Sequence, residues 1–151
     1  YLQSLLLVWQ FYRWELFRQR PFRYALLILS LTLLWTWETF LFSSLHSFNS
    51  YFLIASSFLI TLLCISMINA LLVTVRDHLL KNARFLICLA MLVCFTFAVL
   101  VESFWLYGLN KSSLFRIRIF AIFSYTNLLA NLIYALAVLW MPMKLRYISL
   151  F

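Results

Sequence analysis

The sequence has little of what soluble proteins use to build loops, surfaces and phosphate-binding motifs. It contains one glycine and two prolines in 151 residues, and only 11% of its residues are charged. With Gly108 as the single glycine, neither a collagen-like repeat nor a glycine-rich phosphate-binding loop is possible. The low charge and an aromatic content of 20% also exclude an intrinsically disordered chain.

Residues that carry out catalysis or bind metals are equally scarce. The three cysteines, Cys64, Cys88 and Cys94, lie inside apolar runs and form no CxxC pair, so we interpret them as small core residues. No zinc-ligand spacing, nucleophile elbow or metalloprotease motif occurs. The sequence therefore predicts a protein that is not an enzyme and that holds no metal and no cofactor. His46 and His78 are not expected to share a haem, because the predicted topology places them about 30 Å apart.

Apolar residues, in contrast, make up 66% of the chain. A soluble domain carries roughly 45–50% apolar residues, and a chain of this length cannot bury the excess in one globule. Helices satisfy every backbone hydrogen bond inside a bilayer, and the alternating pattern of a transmembrane barrel is absent. The composition therefore predicts an all-α integral membrane protein.

Four apolar stretches are long enough to cross a bilayer, which takes about 20 helical residues. They lie at about 24–45, 51–75, 85–109 and 117–141. Because the connections between them are short, we expect an up-down-up-down four-helix bundle that forms a transmembrane domain over residues 21–151.

The first 20 residues differ from the rest, since their apolar run is too short to span. Trp9, Phe11, Trp14 and Phe17 lie among basic residues, a composition typical of an amphipathic helix in the membrane interface. We therefore predict an interfacial helix over residues 1–20. The alternative is that this segment is the end of a further span.

Basic residues are distributed unequally between the two predicted sides of the membrane. Three of the twelve, Lys111, Arg116 and Arg118, flank the last loop. By the positive-inside rule, the nine on the other side place both termini in the cytoplasm or an equivalent compartment. We expect these nine to contact anionic lipid headgroups, so the net charge of +8 requires no nucleic acid partner. They are Arg13, Arg18, Arg20, Arg23, Arg76, Lys81, Arg84, Lys144 and Arg146.

Two carboxylates within the predicted spans are the sharpest functional signal. Glu38 and Glu102 each precede the outer end of a span by seven residues, or roughly 10 Å. An acid at this depth is costly unless it faces the bundle interior or a water path. One hypothesis is a paired-carboxylate site for a cation or proton. The other is structural, with a salt link to Arg116 or Arg118 or a hydrogen bond to a neighbouring helix.

The sequences around the two acids resemble each other. Glu38 lies in WETF and Glu102 in VESF, and Asn69 and Asn131 follow them after 31 and 29 residues. This pattern raises the hypothesis of a duplicated two-helix unit.

The fourth predicted span carries a row of polar residues. Ser124, Asn127, Asn131 and Tyr134 are spaced by 3, 4 and 3 residues, so they share one helical face. Such side chains make hydrogen bonds between helices in hydrocarbon, and a path for a substrate or ion is the alternative.

These observations favour a small non-catalytic membrane subunit that packs against, stabilises or helps assemble a larger complex. Its partners would be the lipid bilayer and other membrane subunits, or further copies of itself. The alternative is an oligomeric transporter or channel for an ion, a proton or a small solute that uses Glu38 and Glu102. A lipid, pigment or quinone binder is a third hypothesis.

Overall fold

The computed structural model describes residues 1–17, 21–42, 50–74, 79–107 and 113–140. In these ranges every regular element is helical, as the composition predicts. A short 3-10 turn, Leu79–Lys81, precedes the fourth of five α-helices. The helices are α1 (Leu2–Arg13), α2 (Pro21–Phe42), α3 (Ser50–Thr74), α4 (Ala83–Tyr107) and α5 (Ser113–Leu139).

Three of these helices are long and apolar enough to cross a membrane. The qualifying segments are Ser50–Val73 in α3, Ala83–Leu106 in α4 and Ile117–Leu139 in α5. At about 1.5 Å per residue, each covers the roughly 30 Å of a hydrocarbon core. They coincide with the second, third and fourth predicted spans and support a membrane location.

Helix α2 contains most of the first predicted span but does not reach the same standard over its described residues. Arg23 lies two residues after its start and Glu38 four residues before its end, so its uncharged stretch is short. The predicted span also continues to residue 45, which lies outside the described ranges. The four-span arrangement therefore stays a prediction.

The core lies where α3 packs along α4 and where α1 and α2 rest on α3, while α5 packs against α4. Helix α3 turns a row of residues three or four apart into this core: Ile60, Cys64, Met67 and Leu71. Cys64 and Cys88 are completely buried, and Cys94 is half-buried. All three cysteines are free thiols, so burial of their side chains is their observed contribution to packing.

Helix α1 runs beside α2 in the opposite direction. At the start of α1, the Tyr1 ring stacks on Trp35 with 4.9 Å between ring centroids, and the Tyr1 hydroxyl lies 3.1 Å from Thr32 Oγ1. Near the end of α1, Tyr12 stacks on Tyr24 at 4.5 Å. The two helices are therefore antiparallel.

One face of α1 belongs to the core of the bundle. Val8 and Phe11 are completely buried, whereas Leu2, Leu6 and Trp9 are exposed on the other side. This alignment with α2 is what a segment continuing a further span would show. The position of residues 1–20 relative to a bilayer stays a prediction, and residues 18–20 lie outside the described ranges.

Helix α1 ends in a Schellman motif, in which two carbonyls of the last turn accept hydrogen bonds from the chain beyond. The Leu16 N–H donates to the Phe11 carbonyl at 3.3 Å, and the Glu15 N–H donates to the Tyr12 carbonyl at 3.0 Å. This geometry places Glu15 in the left-handed region with φ of 65°. Glycine usually takes this position because it has no Cβ to clash.

Hydroxyl side chains in the long helices donate hydrogen bonds within their own helix. The acceptor is the carbonyl oxygen three or four residues earlier in the helix. The distance from the hydroxyl oxygen to the carbonyl oxygen is 2.7–3.1 Å in seven residues. They are Thr32, Thr36, Thr61, Ser66, Ser103, Ser124 and Thr126. Such bonds satisfy the hydroxyl donor without a neighbouring helix.

Candidate functional site

Glu38 and Glu102 meet at the start of α3, although they come from different helices. Glu38 lies in the last turns of α2, and its carboxylate bonds to the first backbone groups of α3. Glu102 lies near the end of α4 and makes a hydrogen bond with the side chain of Ser50, the first residue of α3. The site is therefore built by two helix ends that converge on one helix start.

The Glu38 side chain is buried and uses both carboxylate oxygens. Oε1 accepts a hydrogen bond from the Tyr51 N–H at 3.1 Å, and Oε2 accepts one from the Phe52 N–H at 2.5 Å. The first N–H groups of a helix have no partner within the helix, and they carry the positive end of its dipole. Glu38 thus caps α3 from a different helix, a task that more often falls to the residue just before the first turn.

This geometry gives Glu38 a structural task. A buried N–H without an acceptor is costly, so the two bonds hold the end of α2 against the start of α3. Of the two hypotheses for the acids, a hydrogen bond to a neighbouring helix describes what Glu38 does in the structure.

The Glu102 side chain is only half-buried and lines a cleft of about 260 Å³ between α3, α4 and α5. Each helix contributes residues three or four positions apart, because such residues share a face. Among the described residues of this lining, Glu102 carries the one charged side chain. The lining, which we call the Glu102 cleft, consists of Ser50, Leu53, Ala98, Val101, Glu102, Trp105, Phe120 and Phe123.

Three aromatic side chains line the Glu102 cleft. The rings of Trp105 and Phe120 have centroids 6.0 Å apart and planes 80° apart, so they stand as two adjoining walls. Phe123 lies one turn further along α5 and adds a third ring. The cleft thus combines one carboxyl group with an aromatic and aliphatic surface.

Among the described side chains, a serine is the partner of Glu102. The side chain of Arg116 lies outside the described part, and Arg118 is exposed on the first turns of α5. The salt link predicted for these two arginines therefore stays a prediction, whereas the bond to the buried Ser50 hydroxyl is present.

The polar row of α5 is divided between two environments. Tyr134 is half-buried and packs against the core, whereas Asn127 and Asn131 are exposed. Each asparagine directly follows a buried residue, Thr126 or Ala130. Since successive residues of a helix point about 100° apart, both amides lie beside the buried face of α5, on the outer surface of the bundle.

The described basic residues among the nine expected at headgroups are exposed. The Arg13 guanidinium lies 5.8 Å from the centroid of the Trp9 ring, and Arg23 lines a second cleft of about 610 Å³ with Leu26 and Leu27. Arg84 is exposed at the start of α4. The other basic residues predicted to contact headgroups lie outside the described residues or side chains, as do His46 and His78. They are Arg18, Arg20, Arg76, Lys81, Lys144 and Arg146.

Sequence reasoning missed the residues that complete the site. The second predicted span begins one residue after Ser50, and the sequence pattern gives Trp105 no role in a site. A signal was present, because a serine at the start of an apolar run is typical of a helix start, and the acids were expected at the same depth. Which backbone groups would meet each acid depends on how the helices pack.

Among the described residues, no group of three or more His, Cys, Asp or Glu side chains is arranged to hold a metal ion. No protein-family model, curated protein sequence or solved structure matches the chain. Arguments about function therefore rest on the geometry of the site and of the exposed helix faces.

Proposed function

We propose that this chain is a small, non-catalytic integral membrane subunit that packs against other membrane helices and stabilises or helps assemble a larger complex. The observation that carries the proposal is the exposure of Asn127 and Asn131 near the middle of α5. Ten residues separate Ile117, where the apolar segment begins, from Asn127, and eight separate Asn131 from its end at Leu139.

Two amides at this depth require hydrogen-bond partners. Hydrocarbon offers none, and interhelical hydrogen bonds inside membranes contribute about 0.6–2 kcal/mol each. A primary amide has two donors and an acceptor, whereas a hydroxyl such as that of Ser124 satisfies its donor on its own helix. A partner helix that carries polar side chains is therefore the covering that suits this face.

The rest of the outer surface is compatible with a covering of protein or lipid. Residues around the asparagines are large and apolar, including Leu128 and Leu132, each more than half exposed. Helix α5 is also the least buried of the three apolar segments, with 17% of its most apolar window inside the bundle. A partner docked here would bury apolar area around a polar centre.

The proposal includes the four-span, up-down-up-down topology of residues 21–151, with the start of α2 and the end of α5 on the cytoplasmic side. It is supported by the end of α4 lying beside the starts of α3 and α5, at Glu102–Ser50 and Trp105–Phe120. The distribution of nine against three basic residues supports the orientation. Single cysteines introduced at Ser47 and Asn82 into a background without native cysteines should label from opposite sides. Labelling of both from one side would refute the topology.

The experiment for the subunit hypothesis is affinity purification of the tagged chain from its native membrane in mild detergent. We expect a constant set of membrane partners, and we expect the double variant N127L/N131L to retain them at least tenfold less well. Tenfold corresponds to about 1.4 kcal/mol, the lower part of the range for two interhelical hydrogen bonds. Tyr125→Leu is the matched control, since Tyr125 is exposed on the opposite side of α5.

Equal retention of partners by the double variant and the Tyr125 control would contradict the proposed interface. A clean homo-oligomer without other subunits would instead favour the second candidate, an oligomeric transporter or channel. The open position of Glu102 in its cleft is the observation that favours this alternative, and the full occupation of Glu38 by backbone N–H groups weighs against it. In that case Glu102→Gln should abolish a proton, ion or solute flux through reconstituted vesicles.

A further inference from the structure

We propose that the Glu102 cleft binds an organic ammonium group attached to an apolar chain. Neither the identity of a protein partner nor the subunit hypothesis enters this inference. It follows from the combination of one carboxyl group, adjoining aromatic walls and an aliphatic remainder in a single cleft of about 260 Å³.

The charge of the site indicates a cation. Glu102 lies within an apolar segment of α4, where an uncompensated carboxylate is costly. Among the described residues that line the cleft, its partner is the neutral Ser50 hydroxyl, which brings no positive charge to balance the carboxylate. An ammonium group in the cleft would neutralise that charge while the hydroxyl keeps its hydrogen bond.

The aromatic walls indicate an organic cation. Ring faces attract cations that lie within about 6 Å of the ring centroid, and tryptophan is the strongest partner. Because Trp105 and Phe120 are in edge-to-face contact at 80°, a group in the corner that they form meets two aromatic surfaces, and Phe123 contributes a third ring to the same lining. Quaternary ammonium ligands are recognised in this way.

The donor set is poorly suited to an inorganic ion. Calcium takes six to eight oxygen ligands, and magnesium requires near-octahedral coordination by oxygen. Among the described residues of its lining, the cleft offers the carboxyl group of Glu102 and the hydroxyl of Ser50, and the other side chains there are apolar or aromatic. These provide too few oxygens to replace the hydration shell of a small hard cation.

Size and position are consistent with the head of an amphiphile. Pockets for drug-sized molecules measure about 300–1,000 Å³, so this cleft suits a smaller head group. Glu102 lies five residues before the end of α4, or about 7.5 Å along the helix. Leu53, Ala98 and Val101 then provide aliphatic surface for the first methylenes of the chain.

The test is titration calorimetry on the purified chain in maltoside micelles, which contain no ammonium group. The probes are hexyltrimethylammonium and hexanol, which share the alkyl chain and differ in the charged head. We expect saturable binding of the ammonium probe and at least tenfold weaker binding of hexanol. Glu102→Gln and Trp105→Leu should each weaken the ammonium probe at least fivefold, while Trp105→Phe keeps an aromatic ring and stays within about twofold.

Phe104→Leu is the matched control, because Phe104 is the exposed neighbour of Trp105 and does not line the cleft. Equal binding of the two probes to the wild-type chain would overturn the proposal without any variant. Equal effects of Phe104→Leu and Trp105→Leu would overturn it as well. Short-chain phosphatidylcholine and phosphatidylglycerol identify the source of the ligand: competition by the former alone assigns a choline headgroup, and competition by neither assigns a soluble ammonium compound.

Discussion

Two glutamates at the start of α3, Glu38 and Glu102, make different kinds of contact. Glu38 and Glu102 are both glutamates in similar local sequences, and both meet the start of α3. Glu38 contacts backbone N–H groups and has both oxygens occupied, whereas Glu102 contacts a serine hydroxyl and borders a cleft. The comparison teaches that the role of an acid in a membrane helix depends on which groups its neighbours leave unsatisfied.

The comparison also bears on the hypothesis of a duplicated two-helix unit. The sequences WETF and VESF suggest equivalent positions, yet one acid caps the helix that follows it and the other bonds back to the helix that precedes it in the chain. Similar local sequence is therefore compatible with unequal roles. The duplication itself stays a hypothesis.

Replacement of Glu38 is expected to have the largest effect on stability. Glu38→Ala removes the two charge-assisted hydrogen bonds that the carboxylate accepts from the N–H groups of Tyr51 and Phe52. Bonds to charged groups contribute about 1.5–3 kcal/mol each, so we expect a loss of roughly 3 kcal/mol, and about half of that for Glu38→Gln. Unfolding in mixed micelles with increasing denaturing detergent, followed by circular dichroism, measures this free energy.

Thr36→Ala is the control for Glu38, since Thr36 lies one half-turn earlier on α2 and its hydroxyl bonds to its own helix. We expect this variant to change the unfolding free energy by less than about 0.5 kcal/mol. If Glu38→Ala were no more destabilising than Thr36→Ala, the cap on α3 would have no energetic weight.

Substitution at the other end of the site should have a smaller effect. Glu102→Gln keeps an acceptor for Ser50, so we expect a loss below about 1 kcal/mol, and Ser50→Ala should cost about 1 kcal/mol. A double-mutant cycle on these two residues measures their coupling in the same unfolding assay. A loss for Glu102→Gln as large as that for Glu38→Ala would remove the distinction between the two acids.

A third glutamate is expected to show the smallest effect, with the opposite sign. Glu15 has a left-handed backbone conformation at the end of α1. The strain there arises because its Cβ lies close to a backbone carbonyl oxygen in this conformation. Glu15→Gly should stabilise the chain by about 0.5–1 kcal/mol relative to Glu15→Ala, which keeps the Cβ and removes the same carboxylate. Equal unfolding free energies for the two variants would show that the backbone strain is negligible.

Much of the fold could be predicted from the sequence, and less of the site. Apolar runs predict α3, α4 and α5 because the length of a span is set by the bilayer. Helical periodicity also places Asn127 and Asn131 on one face, but it does not say whether that face points inward. Helix α1 could not be placed from its sequence, since its contact with α2 depends on aromatic stacking between residues far apart in the chain, such as Tyr1 and Trp35.

The site itself required the packing of three helices. Depth alone predicts that Glu38 and Glu102 lie at a similar level, but it cannot choose between a backbone N–H, a hydroxyl and an arginine as partner. The partner of each acid is determined by the position of the start of α3. There the first N–H groups of the helix, those of Tyr51 and Phe52, and the Ser50 hydroxyl are donors that need acceptors outside the helix. Short-range patterns carry no information about such a meeting of distant segments.

The hydroxyl groups bonded within their own helices have a consequence for molecular recognition. By composition, Thr61, Ser66 and Ser103 count as polar residues that could donate hydrogen bonds to a neighbouring helix. Each hydroxyl, however, donates its hydrogen bond to a carbonyl one turn earlier in its own helix. These residues therefore contribute to the specificity of helix–helix contacts mainly through the shape of their side chains. The exposed amides of Asn127 and Asn131 can still donate and accept hydrogen bonds. Selection of one partner helix over another by hydrogen bonding therefore depends on far fewer side chains than the composition implies.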